Sequence, residues 1–108
     1  MRIMRKIDLS DYIIDMPTEQ GLKPYPYSVK QSIEMAMYHP DLRLNYKDLM
    51  DHDRIAQKIK QANGFVLLEE SEYGRVRLAF ESIKGFRKED VELVKRVIEA
   101  PEVDVQEK

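Results

Sequence analysis

Apolar residues in the segment "KIDLSDYIID" (Lys6–Asp15) fall on two sides of an extended chain. Ile7, Leu9 and Ile13 share one side, and Tyr12 and Ile14 share the other. This partial alternation, with its β-branched and aromatic content, predicts a strand. The following "MPTEQGLKP" carries Pro17, Gly21 and Pro24 and reads as a turn or loop. Pro24 and Pro26 fix their own φ and push the residues before them out of helical geometry, so "YPYS" is expected to be extended. A return strand with two prolines can only be an edge.

At Ser28 the period changes to that of a helix. Val29, Ile33, Ala36 and Met37 form one stripe, and "SVKQ" supplies a capping box from Ser28 to Gln31. Pro40 stops this helix after Tyr38–His39. "NYKD" opens a second helix, with Asn45 as N-cap and Asp48 at the third position. It runs to about Ala62, where Asn63–Gly64 ends it.

Phe65–Leu68 reads as a short strand. The next stretch supports two periods. "RVRLAF" alternates as a hairpin partner would, while Tyr73, Val76, Phe80 and Ile83 form a helical stripe that Ser71 could cap. Helix is the favoured reading of 69–83. Gly85 is a stop, Phe86 and Val91 can staple the next start, and Val91, Val94, Val97 and Ile98 give a last helix its buried side until Pro101. The expected fold is therefore α+β. An N-terminal β-hairpin-like element and a short strand pack with three to four helices in one domain, residues 1–108, with 1–6 and 102–108 as candidate flexible tails.

The chain has 108 residues, of which 43% are apolar and 35% charged, a balance suited to one modest core under a dense charged surface. A net charge of -2 gives no global field toward nucleic acid or anionic lipid. The absence of cysteine excludes disulfides, thiolate metal sites and cysteine nucleophiles. The longest apolar runs, such as Phe65–Leu68, fall far short of the roughly 20 residues of a membrane span. No glycine-rich phosphate loop or Ser/His/Asp spacing occurs.

The segment closest to chemistry is "LNYKDLMDHDR" (Leu44–Arg54). Asp48 lies one turn before His52, a spacing that can orient an imidazole for metal binding or proton transfer. Zinc sites usually need three or four protein ligands, and the only other histidine, His39, belongs to a different segment. A structural His52 beside Leu49, Ala56 and Ile59 is the stronger reading, so no metal, cofactor or catalytic residue is assigned. The basic residues of positions 75–96 (Arg75, Arg77, Lys84, Arg87, Lys88, Lys95 and Arg96) invite a nucleic-acid reading. Glu89, Asp90 and Glu92 stand at the front of the last helix, where like charge would repel a phosphate backbone. Apolar residues off the main stripes point instead to a partner surface. Tyr12, Tyr38, Tyr46 and Met50 fall there, the "YPY" of Tyr25 and Tyr27 is a proline-fixed aromatic segment, and Arg87 and Lys88 could line the same interface.

The segments "PYSVKQSI", "HPDLRLNYKDLMDHDRIAQKI", "EYGRVRLAFESI" and "GFRKEDVELVKRVIEAPEV" together carry a family resemblance. They resemble small acidic–basic helical proteins encoded by tailed bacteriophages and prophages. The resemblance implies a non-enzymatic virion, assembly or accessory protein in the host cytosol or the particle, and it supplies no site residues. The expected function is a protein–protein binding module, partnered by another protein or by its own copy, with no membrane or nucleic-acid role. The alternatives are a nucleic-acid-associated regulator using residues 75–96 and a metal protein or enzyme at His52 and Asp48.

Overall fold

A computed structural model describes residues 2–105. Its elements run β1 (Arg2–Asp8), β2 (Tyr12–Thr18), β3 (Gly21–Tyr27), α1 (Val29–Met37), α2 (Tyr46–Gln61), β4 (Phe65–Leu68), α3 (Glu70–Ser82), α4 (Val91–Ile98) and β5 (Glu102–Val105). Short 3-10 turns at Pro40–Leu42 and Lys88–Asp90 precede α2 and α4. The fold is α+β, with strands in two separate antiparallel sheets.

The first sheet has the order β4-β1-β5. β1 is its centre, pairing Ile7 with Val66 on one side and Met4 with Val103 on the other. Residues 2–6 and 102–105, expected as tails, are thus held in ladders, while residues 1 and 106–108 lie outside the described residues. One face of this sheet packs on the helices. The core joins Ile7, Val66 and Leu68 to the buried stripes of the four helices, among them Ile33, Ile59, Val76 and Val97. Each such side chain contributes roughly 1.5–3 kcal/mol relative to exposure.

Local signals explain most helix boundaries. Ser28 Oγ accepts from the Gln31 amide at 3.4 Å, and Asn45 Oδ1 accepts from the Asp48 amide at 2.9 Å. Residues 69–83 are helical, as expected from the Tyr73–Ile83 stripe. The cap is Glu69 rather than Ser71, with the Glu69 amide donating to Glu72 Oε1 at 2.9 Å. In α4 the buried residues are Leu93 and Val97, while Val91, expected inside, is half exposed. Both stripes have helical spacing, and the 3-10 turn at Lys88–Asp90 sets the phase that turns Leu93 inward.

The N-terminal strand and the segment after it depart further from expectation. Lys6–Asp15 is not one strand, because Leu9–Asp11 breaks it and the two parts enter different sheets. The expected N-terminal hairpin-like element is present, but "MPTEQGLKP", read as a turn or loop, supplies more than the turn: strands β2 and β3 run through it and are joined by the two-residue turn Glu19–Gln20. Gly21 carries a φ of +100° at the turn, a value glycine tolerates. The hairpin projects from the body. The molecule measures 54 × 33 × 22 Å with a radius of gyration of 15.0 Å, against about 13 Å for a compact chain of this length.

Candidate functional site

A two-stranded hairpin is at best marginally stable alone, so its root must be held. Tyr12 and Tyr27, partners across the ladder, stack with ring centroids 4.6 Å apart. The Tyr12 hydroxyl donates to the Glu89 carbonyl at 2.6 Å, and the Tyr27 hydroxyl donates to Asp90 Oδ1 at 2.5 Å. Arg96 lies 5.2 Å from the Tyr12 ring centroid and donates to the Ser10 carbonyl at 2.6 Å. Burial, followed by the bond to Asp90, raises the Tyr27 phenol above its ordinary pKa. Burial does the same for Tyr12.

Beyond the root both hairpin faces are apolar and open. One face carries the cross-strand pairs Ile13–Pro26 and Pro17–Leu22, and the other carries Ile14–Tyr25. Ile13 is 66% exposed and Leu22 70%. The alternation of the sequence puts Ile13 on the side of Ile7 and Leu9, which are buried, but the break at Leu9–Asp11 separates them.

Beside the root lies a cavity of about 510 Å³ between the ends of α1 and α3. Its apolar wall includes Met35, Ala36, Phe80, Ile83, Phe86 and Leu93. Phe86 stacks on Phe80 with centroids 5.8 Å apart. Polar groups converge at its rim. His39 Nδ1 accepts from the Asp41 amide at 3.0 Å, Asp41 Oδ2 accepts from the Lys84 amide at 3.1 Å, and Asp90 Oδ2 accepts from the Arg87 amide at 2.8 Å. Tyr38 donates to Asp53 Oδ1 at 2.5 Å, which with partial burial pushes its phenol up to about 12. Apolar walls with a few placed polar groups are the usual makeup of a binding cavity.

The structure divides the expected interface residues. Tyr27 and Tyr38 line the cavity, and Tyr12 stacks on Tyr27 at the hairpin root. Tyr25 is exposed on the hairpin, and Arg87 and Lys88 are exposed on the segment that anchors it. Tyr46 and Met50, 75% and 61% exposed, stand apart on α2 and line neither the cavity nor the hairpin root. Phe80 and Leu93 line the cavity with Tyr27, and Asp90 and Arg96, noted in the sequence only for their charge, hold the hairpin root; these placements arise from the tertiary fold and have no local signal.

His52 is 3% exposed, and its Nδ1 is 2.9 Å from the Met37 carbonyl, so the ring bridges α2 to the end of α1. Asp48 faces Arg75 at 3.4 Å rather than the imidazole. Leu49, expected beside His52 in the core, is half exposed. No three His, Asp or Glu side chains among the described residues form a metal-holding group. Several basic residues of positions 75–96 are committed to carboxylates: Arg75 to Asp48 and Asp51, Arg77 to Glu81, and Arg96 to Glu92. No helix among the described residues is long and apolar enough to cross a membrane.

No family model, curated protein or solved structure matches this chain.

Proposed function

We propose that this chain is a non-enzymatic protein–protein binding module, of the virion, assembly or accessory kind that its resemblance to small phage-encoded proteins implies. One observation carries the reading. The β2–β3 hairpin projects from the body with apolar residues open on both faces, while its root is fixed by Tyr12, Tyr27 and Arg96. Anchoring an element firmly and leaving its apolar surface in water costs stability unless another surface covers it. The adjoining cavity extends the same surface, with Tyr27 common to both. Aromatic and methionine side chains such as Tyr25, Tyr38, Met35 and Phe86 are those enriched where interfaces bury their centres.

The test is site-specific photo-cross-linking in the native cell. A cross-linking residue at Tyr25 or Tyr38 is expected to give a discrete adduct, and one at exposed Arg54 none. Equal and diffuse labelling from all three positions would contradict the proposal.

A further inference from the structure

The hairpin has two outer edges, and hydrogen-bond phase makes them unequal. Thr18 and Gly21 close a two-residue turn, so they form a hydrogen-bonded pair, and pairs then alternate along the ladder. Met16–Lys23, Ile14–Tyr25 and Tyr12–Tyr27 exchange bonds across the hairpin. Pro17–Leu22, Asp15–Pro24 and Ile13–Pro26 are the non-bonded pairs, whose backbone groups point outward. All three hairpin prolines fall in this second class, the one placement that costs the ladder no bond.

The consequence differs between strands. On β3 the outward positions are Leu22, Pro24 and Pro26, so two of three present no N–H. That edge is closed to a further strand. On β2 the outward positions are Ile13, Asp15 and Pro17, and the first two keep donor and acceptor together. β2 has no other neighbour among the described residues, because the second sheet contains only β2 and β3.

A cleft of about 530 Å³ lies beside this open edge. Ile14, Asp15, Pro17 and Leu22 line it from the hairpin, and Lys88, Glu89 and Val91 face them. Among the described residues, the carboxylates of Asp15 and Glu89 have no hydrogen-bond or ion-pair partner, while Glu92 is held by Arg96. Lys88 is the cleft's one cation among its lining residues, so unneutralised negative charge is in excess.

We propose that the outer edge of β2 accepts an extended segment of another protein as a third strand, one whose apolar residues alternate with lysine or arginine. The Ile13 and Asp15 backbone supplies the hydrogen bonds, Ile14, Pro17 and Val91 receive the apolar side chains, and Asp15 and Glu89 receive the basic ones. A second copy fits less well, because its own β2 would bring another Asp15 into an already acidic cleft. This inference rests on the binding-module reading and names the chemistry of the partner.

Amide exchange and peptide binding test it on the whole chain. In the free protein the Tyr12, Ile14 and Met16 amides are expected to be protected and those of Ile13 and Asp15 open. A terminally blocked eight-residue peptide alternating valine and lysine should slow exchange at Ile13 and Asp15 at least ten-fold. It should bind at least ten-fold more tightly than its valine–glutamate counterpart. Methylating alternate peptide nitrogens on the paired edge should abolish the effect without touching the protein. Asp15→Pro, which removes one outward donor as Pro17 already does on the same edge, should weaken binding ten-fold or more.

Protected Ile13 and Asp15 amides in the free chain would overturn the proposal, as would equal binding of the two peptides. Protection that grows with protein concentration alone would overturn it in favour of a second copy. If the cross-links at Tyr25 and Tyr38 persist in Asp15→Pro, the edge site falls and the binding module stands. If the unsubstituted chain gives no such adducts, the module reading falls as well.

Discussion

The Tyr27 hydroxyl donates a 2.5 Å hydrogen bond to Asp90 Oδ1, tying the last residue of the hairpin to the residue that precedes α4. The bond joins positions 63 apart in sequence and sets where the hairpin leaves the body. Asp90 is itself fixed, because it also accepts from the Arg87 amide at 2.8 Å. Tyr27→Phe keeps the stack on Tyr12 but removes this bond. The expected loss is about 1.5–3 kcal/mol of unfolding free energy, the range for a hydrogen bond to a charged group. Urea unfolding monitored by circular dichroism checks it, and a loss below 0.3 kcal/mol (roughly the resolution of such comparisons) would show that the root is held without this bond, by the ring stack and the Tyr12 and Arg96 hydrogen bonds.

Alkaline pH should weaken the fold through the same hydroxyls. Tyr27 is raised by burial and then by Asp90, and Tyr38 is raised to about 12 by its bond to Asp53 and then by burial. In the unfolded chain both ionise near pH 10. Above that value the unfolded state binds fewer protons than the folded one, so stability falls as pH rises from about 10 through the folded values. Unfolding measured at pH 8, 10 and 11 is expected to show this slope, and Tyr38→Phe should reduce it while leaving the part due to Tyr27 and Tyr12. Absorbance titration of the phenolates in the folded chain should show Tyr38 still protonated at pH 11.

His52→Ala should destabilise without a catalytic or metal phenotype. It opens space beside Ile55 and Ala56 and leaves the Met37 carbonyl without its 2.9 Å partner. A loss of about 2–4 kcal/mol is expected from the cavity and the orphaned carbonyl together. Stoichiometric zinc in untagged protein, lost on this substitution, would overturn the structural role.

Arg96→Ala should loosen the hairpin root. The guanidinium lies against Tyr12, donates to the Ser10 carbonyl and pairs with Glu92, and only 15% of its side chain is exposed. A loss of about 1–3 kcal/mol is expected, since the group combines charged hydrogen bonds with packing over a ring. Arg96→Lys should recover less than half, because a single ammonium cannot serve the backbone and Glu92 together. Full recovery by lysine would reduce the role of Arg96 to charge.

The parts of this fold that can be read in the sequence are those whose causes are local. Ser28 and Asn45 announce helix starts because a capping side chain acts within three residues of itself. The stripe Tyr73–Val76–Phe80 identifies α3 because successive turns of one period outweigh the short alternation "RVRLAF". A hairpin-like element is expected from the sequence, but the length of its strands is hidden for a reason equally physical. Pro17, Gly21 and Pro24 read as loop punctuation until the register is known, and only then do Pro17, Pro24 and Pro26 all fall on outward positions that need no N–H. The site is partly legible. Tyr12 and Tyr38 stand out as apolar residues off a stripe and Tyr25 and Tyr27 as a proline-fixed aromatic segment, whereas Asp90, Leu93 and Arg96 join them only through long-range packing. Tyr46 and Met50 carry the same signal and sit elsewhere, because an off-stripe apolar residue says that a surface exists and not where it lies.

If the binding-module proposal holds, the apolar hairpin surface belongs to an interface and not to the core of this chain. One substitution made on two strands separates the two cases: Ile7→Thr on β1, where the side chain is 0% exposed, and Ile13→Thr on β2, where it is 66% exposed. Threonine suits a strand in both places, so the comparison isolates burial. The unfolding free energy of the isolated chain is expected to fall by about 2–4 kcal/mol for Ile7→Thr and by less than about 0.5 kcal/mol for Ile13→Thr. Comparable losses at the two positions would contradict this reading of Ile13, because they would place it inside the folded chain and remove it from any surface offered to a partner.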